Sequence, residues 1–486
     1  MKRLISCVFA LLYVMTGFAS GTWILHGKEY RVDTLYHAYI GPGTTQTSIK
    51  LAGPVNLRVF YTTTDLKNEN VDVRAIKHKD TLTGLGTVSN AAESHSTSNR
   101  SYFAGINADF FSSSMPCGIT VVDGEVYCSD QASGWSLFGI DANKIPYSGG
   151  GDFYVKLTAP DYSTAELSAM NLERETNGLV LYSSRKGANT GTDSNGSEVV
   201  LVPDGEGNFL TPGATVRMRV QGNPSHAGSM PIPDNGYILS GSGTKESFVS
   251  NLSEGDVVEV RCAIRFNGFT GGKIQQALGG CPMLVSGGKV LDTENALDHL
   301  TSAQPRTAVG YNAEKNKLVM LVADGRSSIS VGPISKVLAD IMIYAGCSEA
   351  MNFDGGGSST FYVKGEGVIN QPSDGSERSV TDGLYLSTDA PQNDVTITTI
   401  RFMDYAKTLN QGDAYTPVIY GYNQYGVLVD RNVEGVTLSC GSSLGTITND
   451  GTTLNASGSG THMLTAGYGN LTTTLSVTVI GESGIS

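Results

Sequence analysis

The chain is 486 residues long, and 33 basic against 46 acidic side chains give it a formal net charge of −13. Hydrophobic residues make up 40% of the sequence, which is enough for a sizeable core and excludes a chain that is disordered throughout. The low charged fraction of 16% and the 60 glycines are typical of β-rich exported proteins, and the acidic balance argues against a nucleic-acid partner.

The first 21 residues are predicted to be a secretory signal peptide. Lys2 and Arg3 precede an apolar run from Leu4 to Met15, and small residues follow at positions 19–21. No other segment approaches the length of a membrane-spanning helix, so no membrane span is predicted. We therefore expect an exported protein, either periplasmic or extracellular.

Residues 22–389 are predicted to form one α+β domain that is rich in strands and poor in helices. Short apolar runs alternate there with Gly, Asn, Asp and Pro. The predicted strands are 55–61, 71–76, 178–182, 216–220, 256–264 and 318–323. The predicted helices are 333–345, with Pro333 as the first helical residue and Gly346 just past the end, and a shorter one at 88–96.

Residues 392–482 are predicted to form a second, all-β domain. The predicted strands are 395–402, 415–420, 435–439, 444–448, 462–468 and 471–480. This texture resembles bacterial immunoglobulin-like domains, which implies a β-sandwich that serves as a spacer or adhesion module.

Two cysteines flank a predicted hairpin that turns at Asp123-Gly124. Cys117 and Cys128 could face each other across this hairpin, and an exported protein can keep a disulfide. Two buried free thiols are the alternative. No C-x-x-C spacing occurs, so neither a zinc site nor a redox motif is indicated.

The first candidate site segment runs from Ala104 to Phe111. An apolar strand delivers Asn107 and Asp109 two residues apart, which places both on one face if the strand continues. The alternative is that Asp109 caps a turn before Ser112.

The second candidate segment combines residues 304–310 with Asp324-Gly325-Arg326. Arg306 and Arg326 flank strands and offer the forked donors that suit a phosphate or a carboxylate, with Thr307 beside them. The alternative for Asp324 is an ordinary Asp-Gly hairpin turn.

The third candidate segment runs from Ala350 to Thr360, where an apolar stretch ends in a carboxylate and three glycines. Consecutive glycines suggest unusual backbone angles or a close approach, and their N–H groups can form an anion nest. A plain flexible loop is the alternative. The candidate residues are Asn352, Asp354, Gly355, Gly356, Gly357, Ser358, Ser359 and Thr360, together with Asn370 and Arg378 downstream.

These carboxylates, amides and arginines around one glycine-rich loop suit a neutral sugar that is attached to an anionic group. No Gly-x-Ser-x-Gly elbow indicates a serine hydrolase, and the histidines are scattered. No cofactor is predicted. The alternative within the site is Ca²⁺ or Mg²⁺ held by Asn107, Asp109 and Asp354.

Across residues 30–388, an ordered series of motifs resembles the phosphodiester glycosidase family. Cys281 stands where the family usually has Gly, and the last element is one residue longer than is commonest. The stretch from Asn171 to Thr192 is also similar to bacterial members. The matching elements are 107–111, 116–118, 279–284, 305–308, 324–326, 352–360 and 370–378.

The resemblance implies a hydrolase that releases a sugar, such as N-acetylglucosamine, from a sugar-1-phosphodiester. Asp354 would be the main catalytic carboxylate, with Asp109 or Asp324 second. Arg306, Arg326 and the backbone of residues 355–359 would hold the phosphate, while Asn107 and Asn352 would orient sugar hydroxyls or water.

Two alternatives to this activity stay open. One is a non-catalytic glycan-binding or adhesion protein that uses the same cleft. The other is an exopolysaccharide-related glycosidase without phosphate specificity, which would depend little on Arg306 or Arg326.

Overall fold

The structure is a computed structural model that describes residues 21–130, 135–205, 210–267, 269–270, 272–292 and 302–481. Strands account for 50% of it and helices for 7%, which confirms the strand-dominated fold. All but the last residue of the predicted signal peptide lies outside the described residues, so the peptide stays a prediction. Of the helices described, none has the length and hydropathy needed to cross a membrane.

One sheet of nine strands carries most of the candidate site segments. Its strand pairs are antiparallel. In spatial order its strands are Gly21–Leu25, Lys28–Gly41, Thr44–Ala52, Asn56–Asp65, Lys317–Ala323, Arg306–Tyr311, Glu349–Asn352, Met283–Ser286 and Lys289–Val290.

A five-stranded sheet faces this one across a shared core. The core includes Phe60, Val322 and Phe353 from the first sheet and Ile106 and Leu384 from the second. In spatial order the second sheet contains Gly367–Val368, Phe361–Val363, Ser101–Asn107, Asp382–Thr388 and Asp72–Lys77.

A larger sheet of thirteen strands has a separate core of its own. In spatial order its main path is Glu125–Cys128, Thr120–Val122, Ile274–Gly280, Ser136–Asp141, Pro146–Thr158, Val257–Phe266, Thr215–Ser225, Ser197–Pro203, Tyr237–Gly241, Leu179–Ser183 and Ala169–Met170. Thr164–Glu166 and Phe269–Thr270 pair at its side, and Phe111–Ser112 with Met115–Pro116 forms a small separate hairpin.

The three described α-helices are short and few. They are Val88–His95, Glu246–Ser250 and Ser335–Tyr344. The last one buries Leu338 and Ile341 against the nine-stranded sheet, as its apolar stripe predicts. Pro333 is not its first residue, because Ile334 is the N-cap. Gly346 lies just past the end with φ of +100°, a conformation that favours glycine.

The C-terminal strands surround a core that is distinct from the others. They form three sheets, so the all-β prediction for this region holds, while its immunoglobulin-like character stays a prediction. The predicted strand 415–420 is in fact two strands, and 395–402 begins only at Thr399. The strands are Thr399–Phe402, Ala406–Asn410, Ala414–Tyr415, Ile419–Tyr422, Leu428–Asp430, Thr437–Cys440, Gly445–Thr448, Thr453–Ala456, Gly460–Tyr468 and Leu471–Ile480.

The C-terminal strands are packed against strand Lys28–Gly41 of the nine-stranded sheet. Ala38, Tyr420 and Tyr422 form one buried cluster. The Tyr422 hydroxyl donates to the Tyr39 carbonyl at 2.8 Å, and Arg431 donates to Glu366 at 2.6 Å. The two regions therefore share an interface with both apolar and polar contacts.

Replacement of Tyr422 by Phe is expected to lower the free energy of unfolding by about 1 kcal/mol, because one partly buried hydrogen bond is lost. Chemical denaturation of the two proteins measures this difference. Tyr162→Phe is the matched control, since Tyr162 is 87% exposed. Equal stability of the Tyr422 variant and the wild type would show that this contact does not support the interface.

All six cysteines outside the predicted signal peptide are free thiols. The predicted hairpin turn is confirmed, with Asp123 and Gly124 both at positive φ. Cys128 is opposite Thr120 in the hairpin, not opposite Cys117. The disulfide alternative is therefore wrong, and the free-thiol alternative agrees with the structure.

Candidate functional site

Three strand ends meet at one edge of the nine-stranded sheet. The register pairs Arg306 with Ala323 and Ala308 with Asn352. Antiparallel pairing therefore brings the start of one strand beside the ends of its two neighbours. Asp324 directly follows one of these ends and Asp354 is two residues past the other, so the second and third candidate segments converge as the sequence predicts.

Asn107 binds the first candidate segment to the other two. Its side chain, 1% exposed, donates from Nδ2 to the Asp354 carbonyl at 2.7 Å. Its Oδ1 accepts from the Thr307 hydroxyl at 2.8 Å and from the Thr360 N–H at 3.1 Å. The Asn107 amide therefore holds the glycine-rich loop in place. Because its donor and its acceptor are used within the protein, the amide does not make the expected contact with a sugar.

The glycine-rich loop is a packed 3₁₀ turn, Gly356–Ser358, instead of a flexible segment. A Cβ on Gly355 would lie 2.7 Å from the Pro305 carbonyl oxygen, and a Cβ on Gly357 would overlap Arg378 and Asp374. The close approach that these glycines permit is therefore made by other residues of the protein and not by a ligand.

The backbone of this loop does not form the expected anion nest with all of its N–H groups. The N–H of Gly356 donates to the Pro305 carbonyl at 2.9 Å. The N–H groups of Ser358 and Ser359 donate to the carbonyls of Gly355 and Gly356. Three donors are thus used within the protein, and side-chain cations become the better candidates for holding a phosphate.

Two arginines lie against the turn, one beside Gly356 and the other beside Gly357. Arg378 pairs with Asp374 at 2.6 Å and donates to the Ser358 hydroxyl at 3.4 Å. Arg326 is exposed and donates to the Gln304 side chain at 2.7 Å, with its Nη2 only 3.0 Å from where a Cβ of Gly356 would lie. Within the described residues, Arg326 makes no ion pair, so its charge is available to an anion.

Arg306 is not exposed at the turn. The residue is 2% exposed, and its Nη2 donates to the Ser302 carbonyl at 2.5 Å. Burial, together with the neighbouring cation of Arg326, lowers the pKa of Arg306 to about 10. We therefore expect Arg306 to support the adjoining loops and to act on a ligand only through Arg326.

Asp354 directly precedes the three glycines, and the residue is partly exposed. Burial of most of the group raises its pKa to about 6, and the negative charge of Asp382 adds to this shift. The Ser358 hydroxyl, the Arg378 cation and the Gly355 N–H oppose the shift. A carboxyl with this pKa is largely ionised at neutral pH and can still exchange a proton there.

Asp109 forms a buried carboxyl pair with Asp382. The Asp109 N–H donates to Asp382 Oδ1 at 2.9 Å, and Asp109 Oδ2 accepts from the Gly118 N–H at 2.8 Å. Burial first, and then the charge of Asp382, holds the pKa of Asp109 well above its usual range. Burial raises the pKa of Asp382 as well, but Lys77 and hydrogen bonds from the Asp109 N–H and Thr381 oppose that shift, so Asp109 holds a proton more tightly than Asp382 does.

The positions of Asn107 and Asp109 differ from the expected shared strand face. The strand ends at Asn107, so Asp109 lies beyond it and points to a different set of partners. The turn-cap alternative is partly right, since Asp109 caps backbone at Gly118, not at Ser112–Ser114. Gly279 leaves the space for this carboxylate, because a Cβ there would lie 2.6 Å from Asp109 Oδ2.

The sequence analysis missed Asp382 and Lys77. Asp382 begins strand Asp382–Thr388 and is fully buried, and Gly383 is opposite Asn107 in the register. Lys77 is 2% exposed and donates to the carbonyls of Gly84 and Thr381. Only the pairing of distant strands brings these groups to Asp109. The one local signal is a carboxylate at the start of an apolar strand.

Asp324 holds a different part of the site than Asp354 does. Its Oδ1 accepts from the Gln371 N–H at 2.8 Å and from Asn370 Nδ2 at 3.4 Å. Asn370 in turn accepts from the Phe361 N–H at 2.7 Å. The hairpin-turn alternative is wrong, since Asp324 begins a longer loop, and its carboxylate fixes the segment at 370–371.

The remaining candidates are buried and mostly satisfied by the protein. Asn352 donates to the carbonyls of Cys281 and Phe353 at 2.8 and 2.6 Å. Ser359 accepts from the Thr307 hydroxyl at 3.2 Å, and its carbonyl accepts from Asn370. Asp354 is partly exposed and Arg326 and Arg378 are exposed, so these three remain the candidates that a ligand can reach, while Ser358 is buried and bonded to Arg378.

A divalent cation is not favoured by the arrangement around Asp109. The structure describes no group of three or more His, Cys, Asp or Glu side chains that could hold a metal ion. Asn107 Oδ1, one of the three expected ligands, already accepts two hydrogen bonds. The free oxygens Asp109 Oδ1 and Asn352 Oδ1 remain, so metal dependence is a question for elemental analysis.

The pH dependence of any activity that needs ionised Asp354 follows from its two charged neighbours. The rate should rise with pH through about 6 in the wild type. Arg378 lowers the pKa of Asp354 and Asp382 raises it. Arg378→Met should therefore move the rising part of the pH profile, the acid limb, to higher pH, and Asp382→Asn should move it to lower pH. We expect displacements of roughly half a unit to one unit.

Profiles of kcat/KM against pH for the three proteins measure these displacements. Arg217→Met, in the thirteen-stranded sheet, is the control for loss of a cation elsewhere. Displacement of both variant profiles in the same direction would contradict the assignment of the limb to Asp354.

Comparison with known proteins connects part of this architecture to a family. Residues 213–387 match the model of the phosphodiester glycosidase family. This confirms the expected resemblance for that segment, which contains Asp324, Asp354, Arg378 and Asp382. Asn107 and Asp109 lie before it.

A related protein is similar to this chain over a short stretch. Over 88 residues the chain is 40% identical to the SPbeta prophage-derived uncharacterized protein YomE of Bacillus subtilis (strain 168). That stretch is 18% of this chain, and the chain spans only 13% of the relative.

Two solved structures share the fold, and a third is similar at a lower score. A hypothetical protein from Synechocystis has a TM-score of 0.55 at 16% identity, over 71% of this chain and 62% of that one. A protein from Burkholderia pseudomallei K96243 has a TM-score of 0.54 at 18% identity, over 74% of this chain and 97% of that one. The catalytic domain of zebrafish N-acetylglucosamine-1-phosphodiester alpha-N-acetylglucosaminidase, auto-inhibited by its pro-peptide, has a TM-score of 0.37 at 13% identity, over 73% of this chain and 87% of that one.

Proposed function

We propose that the protein is an exported hydrolase that releases a sugar, of the N-acetylglucosamine type, from a sugar-1-phosphodiester. The observation that carries this proposal is the arrangement around Asp354. A carboxyl with a pKa of about 6 directly precedes a glycine turn, with Arg326 beside Gly356 and Arg378 beside Gly357. The family match over residues 213–387 supports the same reaction class.

In this proposal the two arginines bind the phosphodiester. Arg326 supplies a cation without an ion-pair partner among the described residues, and Arg378 is already oriented by Asp374. Forked guanidinium groups are well suited to two phosphate oxygens. The sugar would then lie over the turn, with its anomeric carbon near the Asp354 carboxylate.

Ionised Asp354 would stabilise the positive charge that develops at the anomeric carbon, either as a nucleophile or as an electrostatic partner. The bond between the anomeric carbon and the phosphate oxygen breaks, and the phosphate leaves with the electron pair. A water oxygen then bonds to the anomeric carbon, either directly or by displacing Asp354 from a glycosyl ester, and its proton passes to the carboxylate or to solvent. Because a phosphate is a good leaving group, little proton donation is needed. In this proposal Asp109 takes no part in proton transfer, and its buried pair with Asp382 maintains the shape of the site.

Product analysis with a purified protein tests the proposal. The chain from Thr22 onward is incubated with UDP-N-acetylglucosamine, and free sugar is followed by mass spectrometry beside an Asp354→Asn variant. We expect free sugar from the wild type only. Equal release by both proteins would remove Asp354 from the reaction. Binding without release would favour a glycan-binding protein.

Phosphate specificity separates the proposal from an ordinary glycosidase. Arg326→Met is expected to raise KM for the phosphodiester by about tenfold or more, the loss of roughly one charge-assisted contact. The matched substrate is the same sugar with a neutral nitrophenyl group in place of the phosphodiester, on which the variant should act as the wild type does. A similar loss on both substrates would contradict a phosphate contact.

A further inference from the structure

A second cleft lies within residues 173–193, outside the residues that the proposed reaction uses. Its volume is about 570 Å³, within the usual range for sites that bind small molecules. The residues that line it include Glu173, Lys186, Asn189, Thr190, Gly191 and Asp193.

A buried carboxylate fixes one wall of this cleft. Glu198 is 1% exposed, and its Oε1 accepts from the Thr192 hydroxyl at 2.9 Å. Its Oε2 accepts from the Thr190 hydroxyl at 3.3 Å and from the Met230 N–H at 3.1 Å. Burying a carboxylate is costly unless it is fully bonded. Here the carboxylate holds the loop that lines the cleft.

A buried guanidinium fixes the neighbouring position of the same loop. The Arg174 side chain is 3% exposed and donates to the Ser240 hydroxyl at 3.0 Å. Its Nη2 donates to both the carbonyl and the carboxylate of Asp193, at 3.1 and 2.6 Å. Because Glu198 and Arg174 together hold residues 190–193, this wall of the cleft is shaped before any ligand arrives, which lowers the entropy cost of binding.

The lining chemistry is polar and has no dominant charge. Asp193 is neutralised by Arg174, while Lys186 and Glu173 add one charge of each sign. Hydroxyls, an amide and glycine backbone make up most of the rest, and the Tyr182 ring lies beneath Lys186 at 6.0 Å. Lipids and apolar peptides would need apolar walls, and nucleotides would need more cations.

From the size, rigidity and polarity of the cleft, we propose that it binds a neutral oligosaccharide. Polyhydroxyl ligands are recognised by placed donors and acceptors. The Thr192 hydroxyl donates its proton to Glu198 and can accept from a ligand, while Lys186, Asn189 and Glu173 add donors and acceptors at the cleft. The proposal does not depend on hydrolysis at Asp354, because none of the lining residues belongs to that site.

Titration calorimetry of the wild type with N-acetylchitotetraose, cellotetraose and maltotetraose tests the proposal. Ala188→Trp places a large side chain in the cleft from an exposed position. Ala313→Trp, at an exposed turn on the opposite edge of the nine-stranded sheet from Asp354, is the matched control. We expect at least one sugar to bind the wild type with a Kd below about 5 mM and the Ala188 variant about tenfold or more weakly.

The outcomes separate this site from the hydrolytic one. Loss of binding in Ala188→Trp, with normal binding in Ala313→Trp, would support a separate carbohydrate site. Absence of binding for all three sugars, or equal binding by Ala188→Trp and the wild type, would overturn the proposal. Neither result depends on whether the phosphodiester is hydrolysed.

Discussion

Replacement of Asp354 by Asn is expected to lower the rate of phosphodiester hydrolysis by at least about 10³-fold, or roughly 4 kcal/mol of transition-state stabilisation. The amide keeps the shape of the carboxylate but cannot carry the negative charge that stabilises the cationic sugar. Neighbouring hydrogen bonds to Ser358 and Gly355 involve an acceptor oxygen that Asn retains. The variant should therefore fold and bind substrate.

The stability of this variant provides an independent check. Since the pKa of Asp354 in the folded chain lies above its ordinary value of 3.8, the folded chain binds the proton more tightly than the unfolded chain does. Wild-type stability then falls as the pH rises from about 4 to about 6, and the variant lacks this loss. Asp234→Asn, at an exposed loop position, is the control. A variant that is less stable than the wild type at neutral pH would contradict the assigned pKa.

Replacement of Gly357 by Ala is expected to have the second largest effect. The new methyl group would overlap both Arg378 and Asp374, so this ion pair must move away from the turn. We expect a 10- to 100-fold loss of activity, because Arg378 is displaced, and a loss of only about 1 kcal/mol in the free energy of unfolding, because the two side-chain ends can move aside. Steady-state kinetics and denaturation measure the two effects.

Gly441→Ala is the matched control for this substitution. A Cβ at Gly441 would meet only the Ser443 hydroxyl, at 3.6 Å, and its φ is not positive. It should change neither activity nor stability appreciably. If Gly357→Ala were as active as the wild type, the position of Arg378 would not matter for the reaction.

Much of the fold could be predicted from local sequence patterns. The period-two run near Val55–Tyr61 corresponds to strand Asn56–Asp65, and the apolar stripe with Gly346 at its end corresponds to helix Ser335–Tyr344. Segment 415–420 was predicted as one strand because its apolar pattern is continuous. Its two halves in fact pair in different sheets, a tertiary property that a local pattern does not contain.

The site could be predicted less completely than the fold. The segments in which a strand ends in polar residues do contain the site, because antiparallel pairing brings such strand ends together at one edge of the sheet. The assignment of each side chain needed tertiary contacts. Asn107, Arg306 and Asp324 have residue types that suit a ligand, yet each is buried and bonded to the protein. Asp382 is buried beside Asp109 by strand pairing alone.

Hydrolysis in ¹⁸O-labelled water tests the central claim most directly. Attack at the anomeric carbon, beside Asp354, predicts that ¹⁸O enters the released sugar and that the phosphate product stays unlabelled. Mass spectra of both products from UDP-N-acetylglucosamine distinguish the two positions. Label in the phosphate product, with none in the sugar, would show attack at phosphorus and would contradict the glycosidase reaction.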